Sequence, residues 1–196
     1  MTTKMLQHAK QACIFLIFIG FFQVCTPVIV QADSDPVLTN IKLANTRDDL
    51  LTYFEIKNAF TEKITRAVQN GIPTTFSFYI SLYKTSDTWV DKKIADIEIT
   101  SSIKYNSLKQ EYAVVRPWKD EKPSVTQSFE EAENWMTNID NLAVIALKHL
   151  VKGEKYQIRI KAKLARVTLP FSLHYVFFFV SFWDVETDWY LINFTY

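Results

Sequence analysis

The sequence predicts a mainly β domain, an antiparallel β-sandwich with one or two short helices inserted between strands. Three observations carry this expectation. Apolar residues alternate with polar ones over most of the chain beyond residue 33, the period of a half-buried strand. Only two stretches show a helical period instead. The spacing of Leu150, Gly153 and Tyr156 matches a tyrosine corner, in which a tyrosine hydroxyl bonds back to upstream backbone while its ring packs on a leucine. That corner belongs to immunoglobulin and fibronectin-III-like sandwiches, so the expected fold is of that kind.

Taken in order, residues 1–32 read as a targeting segment. Lys4 and Lys10 precede an apolar run from Ala12 to Phe22 that continues more weakly to Val30, and Val30-Gln31-Ala32 offers small residues at a cleavage site. A cleaved secretory signal is expected, with an uncleaved N-terminal membrane anchor as the alternative, since 19 apolar residues suffice to span a bilayer. Either way the chain is expected to leave the cytoplasm. Both cysteines, Cys13 and Cys25, lie in this segment. Residues 33–196 then form a single domain without thiols, so disulfides, thiolate metal sites and cysteine nucleophiles are excluded there.

The first expected strand alternates at Leu38, Asn40 and Lys42 against Ile41 and Leu43; the next runs from Leu51 to Ile56. Asn58 to Asn70 carries Phe60, Ile64, Ala67 and Val68 at helical spacing and stops at Gly71 before Pro73. Thr74 to Tyr83 is the clearest strand, with Phe76, Phe78, Ile80 and Leu82 on one face. Two further runs, Ile97 to Tyr105 and Tyr112 to Val115, flank Asn106–Lys109 as a hairpin. Ser128-Phe129-Glu130-Glu131 is a capping box opening a helix over Glu130 to Asn138, with Phe129, Ala132, Trp135 and Met136 as its apolar stripe. Tyr156 opens a central strand. Phe171 to Trp183 is apolar on both faces, hence a strand covered on both sides. Tyr190 to Tyr196 is the last strand.

The charge, 22 basic against 21 acidic side chains, argues against nucleic acid as a partner, because phosphate neutralisation needs a basic excess. Catalytic equipment is thin. His149 and His174 are the histidines beyond the leader, neither beside a nucleophile motif, and no phosphate loop or dinucleotide fingerprint is present, so no cofactor is expected. Asp184, Glu186 and Asp188 would share a face if extended, which makes them weak candidates for a cation or an acid/base pair. The competing reading is an acidic turn that keeps two aromatic strands soluble. Trp89, Trp118, Trp183 and Trp189 could stack on sugars or peptides, with core or sheet-edge packing as the plainer use.

Several pieces in this order resemble an uncharacterised proteobacterial envelope family, domain of unknown function 4390. They are Leu50-x-x-Tyr53-Phe54-Glu55-Ile56, Gly71-Ile72-Pro73, Trp89 with Asp91, Tyr105-x-x-Leu108-x-x-x-Tyr112-x-Val114, Gly153-x-x-Tyr156, Leu169-Pro170 and the Trp-rich ending. The resemblance covers residues 36–196. It implies a small exported protein with no assigned catalytic residue, encoded in some relatives near envelope-sensing histidine kinases. The expected function is therefore a non-enzymatic envelope module of sandwich type that binds a protein or ligand through a sheet face or edge, accessory to an envelope sensor system. Two alternatives stand beside it. Tyr190, Ile192, Phe194 and Tyr196 alternate as in the insertion signal of an outer-membrane β-barrel, and a carboxylate pair could serve an envelope hydrolase.

Overall fold

The computed structural model describes residues 35–86, 90–165 and 185–196, within one compact unit, Asp33–Tyr196. The expected leader, Trp89, the expected strand Phe171–Trp183 with His174, Leu169-Pro170 and Asp184 lie outside the described residues.

Among the described residues nine antiparallel strands form two sheets. The strands are β1 (Val37–Asn45), β2 (Asp49–Lys57), β3 (Thr74–Lys84), β4 (Lys92–Asn106), β5 (Glu111–Val115), β6 (Ser124–Thr126), β7 (Asn138–Ala146), β8 (Lys155–Ala165) and β9 (Tyr190–Thr195). Helices α1 (Glu62–Gln69) and α2 (Phe129–Thr137) interrupt them. The smaller sheet has the order β1-β2-β7 and the larger β6-β5-β4-β3-β8-β9. In immunoglobulin letters the first is A-B-E, and the second contains C′-C-F-G as β4-β3-β8-β9, extended by β5 and β6. The fold is thus the expected mainly β sandwich. The described sheets are open, with edges at β1, β7, β6 and β9, whereas a barrel has no edge. No helix among the described residues is long and apolar enough to cross a membrane.

The core lies between the sheets. Phe76, Phe78, Ile80 and Leu82 of β3 are buried together with Ile158, Ile160, Ala162 and Leu164 of β8, as the alternation demands. Leu50, Phe54 and Ile56 of β2 and Ile139, Leu142 and Val144 of β7 face them, and Phe54 meets Phe78 with ring centroids 5.8 Å apart. Three strands cannot cover six, so the helices close the flank over β4, β5 and β6. There Phe60 sets its edge against Phe76 and Phe129, at 5.4 and 5.6 Å, and Phe129 packs on Tyr112 at 5.6 Å.

Local chemistry explains the boundaries and corrects three sequence readings. Helix α1 starts at Glu62 rather than Asn58: Asn58 has φ +58, and Thr61 caps the helix by accepting a bond from the Ile64 N–H. It ends in a Schellman motif, with Gly71 N–H on Val68 C=O at 2.8 Å, Ile72 N–H on Ala67 C=O at 3.0 Å, and Gly71 at φ +80. The capping box of α2 is shared three ways. Ser128 accepts from Glu131 N–H, but the Glu131 carboxylate bonds the Thr126 hydroxyl, and that hydroxyl accepts from Ser128 N–H. In β1 the strict alternation fails, because a register shift between Thr39 and Lys42, with Asn40 at φ +53, turns Leu38, Ile41 and Leu43 all toward the core.

Candidate functional site

Among the described residues a cleft opens where the start of β1 meets the segment leading into β9. It measures about 390 Å³ and is lined by Asp35–Leu38 and Glu186–Tyr190. Two local pairings hold its far wall. Leu164 N–H bonds Val185 C=O at 2.8 Å and Thr187 N–H bonds Ala162 C=O at 2.9 Å, so residues 185–187 return along the end of β8. The Thr187 hydroxyl, 3% exposed, accepts from the Ala162 N–H at 3.0 Å and locks the wall. Past it the chain turns apolar side chains outward: Trp189, Tyr190 and Leu191 are 47%, 45% and 50% exposed, and Val37 across the cleft is 45% exposed.

This corner contains two of the three acidic candidates. Glu186 is clamped by Lys161 at 2.9 Å and Lys163 at 3.1 Å, and these ammonium groups hold its carboxyl below the usual range. A general acid needs the opposite, a carboxyl kept protonated by its surroundings. Asp188 is exposed on the cleft wall. Among the described residues no group of three His, Cys, Asp or Glu side chains could hold a metal ion. His149 is exposed in a single 3₁₀ turn, Leu147–His149.

The sequence-predicted corner is built as its spacing requires. The Tyr156 hydroxyl accepts the Val151 N–H at 2.8 Å, with Tyr156 1% and Leu150 7% exposed, and Gly153 takes φ +83 to make the turn. Its ring stacks on Phe194 of β9 at 5.7 Å, which ties the corner to the edge strand. Of the exposed tryptophan candidates only Trp189 is exposed among those described. Trp118 instead packs against the core with its indole nitrogen buried, because the chain after β5 folds inward there.

A family model described as Domain of unknown function (DUF4390) matches residues 33–193. The chain belongs to this family. No curated protein and no solved structure matches the DUF4390 chain.

Two clusters of this DUF4390 domain escaped the sequence reading. On the outer face of the larger sheet, Arg159 lies 4.0 Å over the Tyr83 ring and bonds Asp91 at 2.9 Å and Gln157 at 2.6 Å, while Gln157 bonds Asn193 of β9 at 2.8 Å. The alternation of β8 announces that Gln157, Arg159, Lys161 and Lys163 point outward, but their partners come from distant strands. Under α2, Arg116 is 7% exposed, bonded to Asp120 at 3.2 Å and Ser124 at 2.9 Å, and set 5.6 Å from the Trp135 ring. Strand parity continues past Val115 and drives this arginine inward, a position no sequence motif marks.

Proposed function

We propose that this chain is an exported, non-enzymatic binding module of the bacterial envelope, serving an envelope sensor system in the periplasm, and that it takes an apolar segment of a protein partner at the β1/β9 corner. The observation that carries the reading is the clustering of exposed apolar side chains. Eight large hydrophobics are exposed among the described residues; three of them, Val37, Trp189 and Tyr190, border one cleft, and a fourth, Leu191, follows directly on its wall. Scattered exposed hydrophobics are ordinary on a monomer, whereas a contiguous aromatic patch beside a concavity is the usual anchor point of a protein interface. The clamped Glu186 lends the rim charge without lending it acid chemistry.

The test is crosslinked recovery of tagged full-length protein from its own envelope, comparing wild type with Trp189→Ala and with Leu108→Ala. Leu108, 96% exposed at the β4–β5 hairpin, lies outside the cleft. Wild type and Leu108→Ala should recover the same envelope protein. Trp189→Ala should lower that recovery about tenfold or more, the loss expected of an aromatic anchor. Equal recovery by all three, or recovery of nothing by any, overturns the reading.

A further inference from the structure

We propose that two copies of this chain pair through β9, edge to edge and antiparallel about a two-fold axis at Asn193, joining their larger sheets into one continuous sheet. This goes beyond the corner cleft, since it rests on the backbone of β9 rather than on the exposed aromatic side chains.

Which groups of β9 face outward follows from the ladder. Thr85 N–H bonds Lys155 C=O, so Lys155 directs its backbone toward β3 and the alternate residues Tyr156, Ile158 and Ile160 direct theirs toward β9. Tyr196, whose N–H bonds Glu154 C=O, sets the same phase from the other side. Phe194, Ile192 and Tyr190 therefore bond to β8, and Leu191, Asn193 and Thr195 point their N–H and C=O groups away from the sheet. Among the described residues nothing pairs with them.

Such a row of groups invites another strand, and the other three edges are guarded against it. Strand β6 has three residues. Strand β1 carries the register shift at Thr39/Lys42 with Asn40 at φ +53. Strand β7 shifts register twice against β2, holds Asn141 at φ +54 and bears Asp140. Strand β9 has none of these devices: its six residues, Tyr-Leu-Ile-Asn-Phe-Thr, include no charge and no proline, and its pairing with β8 is regular.

The occupant is a second copy because the strand is complementary to itself. A two-fold axis at Asn193 sets Leu191 opposite Thr195 of the second copy and Asn193 opposite its own equivalent. All of these are outward-facing residues, so each facing pair exchanges two hydrogen bonds, giving about six across the axis. This is the register that uses all three outward residues. It also places half-buried Ile192 against Phe194 and Tyr190 against Tyr196, apolar cross-strand pairs that stabilise a sheet, with no charge facing a like charge.

The test uses full-length protein with Cys13→Ser and Cys25→Ser, which removes both native thiols, and single cysteines introduced on β9. Across the axis the two Asn193 Cα atoms would be about 5.5 Å apart, within disulfide reach, whereas the two Leu191 Cα atoms would be about 15 Å apart. Asn193→Cys should form a reducible dimer on mild oxidation, Leu191→Cys or Thr195→Cys alone should not, and the pair combined should. In sedimentation, wild type and Asn193→Ala should be dimeric. Asn193→Pro, which removes an outward N–H and leaves the β8 ladder intact, should be monomeric with its melting transition retained. Crosslinking from all positions alike, crosslinking from none, or a wild-type monomer at tens of micromolar overturns the proposal. A Trp189→Ala variant that keeps the disulfide pattern but loses envelope partners, or the reverse, tells failure of the dimer apart from failure of the corner.

Discussion

Thr52 offers a substitution whose expected sign is opposite to that of most core changes. It lies on the inward face of β2 between Leu50 and Phe54, is 0% exposed, and its Oγ1 has no hydrogen-bond partner among the described residues. Its neighbours across the sheet are Leu43 and Leu142. A hydroxyl taken out of water without a partner costs about 1–3 kcal/mol. Valine has the same shape, exchanges that hydroxyl for a methyl, and is at home in a strand. Thr52→Val should therefore raise stability by about 1–2 kcal/mol, which for a domain of this size is a rise in Tm of about 2–6 °C. Thr52→Ala relieves the same unpaired group but leaves a gap, so it should fall below valine by about 1 kcal/mol. Urea unfolding followed by tryptophan fluorescence reads both, with m unchanged if only the native state is affected. A valine variant less stable than wild type would refute the reasoning, because it would mean that the hydroxyl is bonded in solution.

Four further outcomes are expected. Tyr156→Phe keeps the buried ring but strands the Val151 N–H, and should cost about 1–2 kcal/mol in the same unfolding assay. Gly71→Ala places a Cβ at φ +80 and 3.6 Å from the Tyr105 carbonyl, so backbone strain rather than collision should cost about 1 kcal/mol by thermal melting. Glu186, held low by Lys161 and then Lys163, should titrate below 4.5 by carboxyl NMR; its contribution to stability is complete above that pH and is lost as the pH falls through its folded midpoint, and a midpoint at or above 4.5 contradicts the clamp. Burial, and then the nearby Glu130, raises the Glu133 carboxyl, so its ionised form is disfavoured in the fold. Glu133→Gln should therefore stabilise the protein at pH 7 and give no gain near pH 3, where the native carboxyl is already protonated.

How far local pattern reaches is clear from particular residues. Phe76 to Leu82 and Tyr156 to Leu164 declare both strand and buried face, because a period of two is a property of the strand itself. Gly71 and Ser128 announce a helix end and a helix start for the same reason: the orphan groups they satisfy lie within a few residues. The alternation at Leu38 misleads, since a single residue inserted at Asn40 reverses the parity, and that bulge answers to β2 rather than to the sequence of β1. Strand β7 escaped because its apolar residues follow directly on α2 without a turn signal between them.

The amino-acid order alone carries the sandwich class, the Leu150/Gly153/Tyr156 corner, the thiol-free domain and the family. Each depends on residues near one another in the chain or on inventory. Which strands neighbour which, and therefore which edges stay open, depends on contacts between segments far apart, such as β3 with β8 and β2 with β7. The cleft between Asp35–Leu38 and Glu186–Tyr190, the clamp on Glu186 and the outward row of β9, unpaired among the described residues, all arise at that level. The physical reason is that a backbone hydrogen bond or an ion pair is short-ranged in space and indifferent to separation along the chain, so only the folded arrangement brings its two halves together.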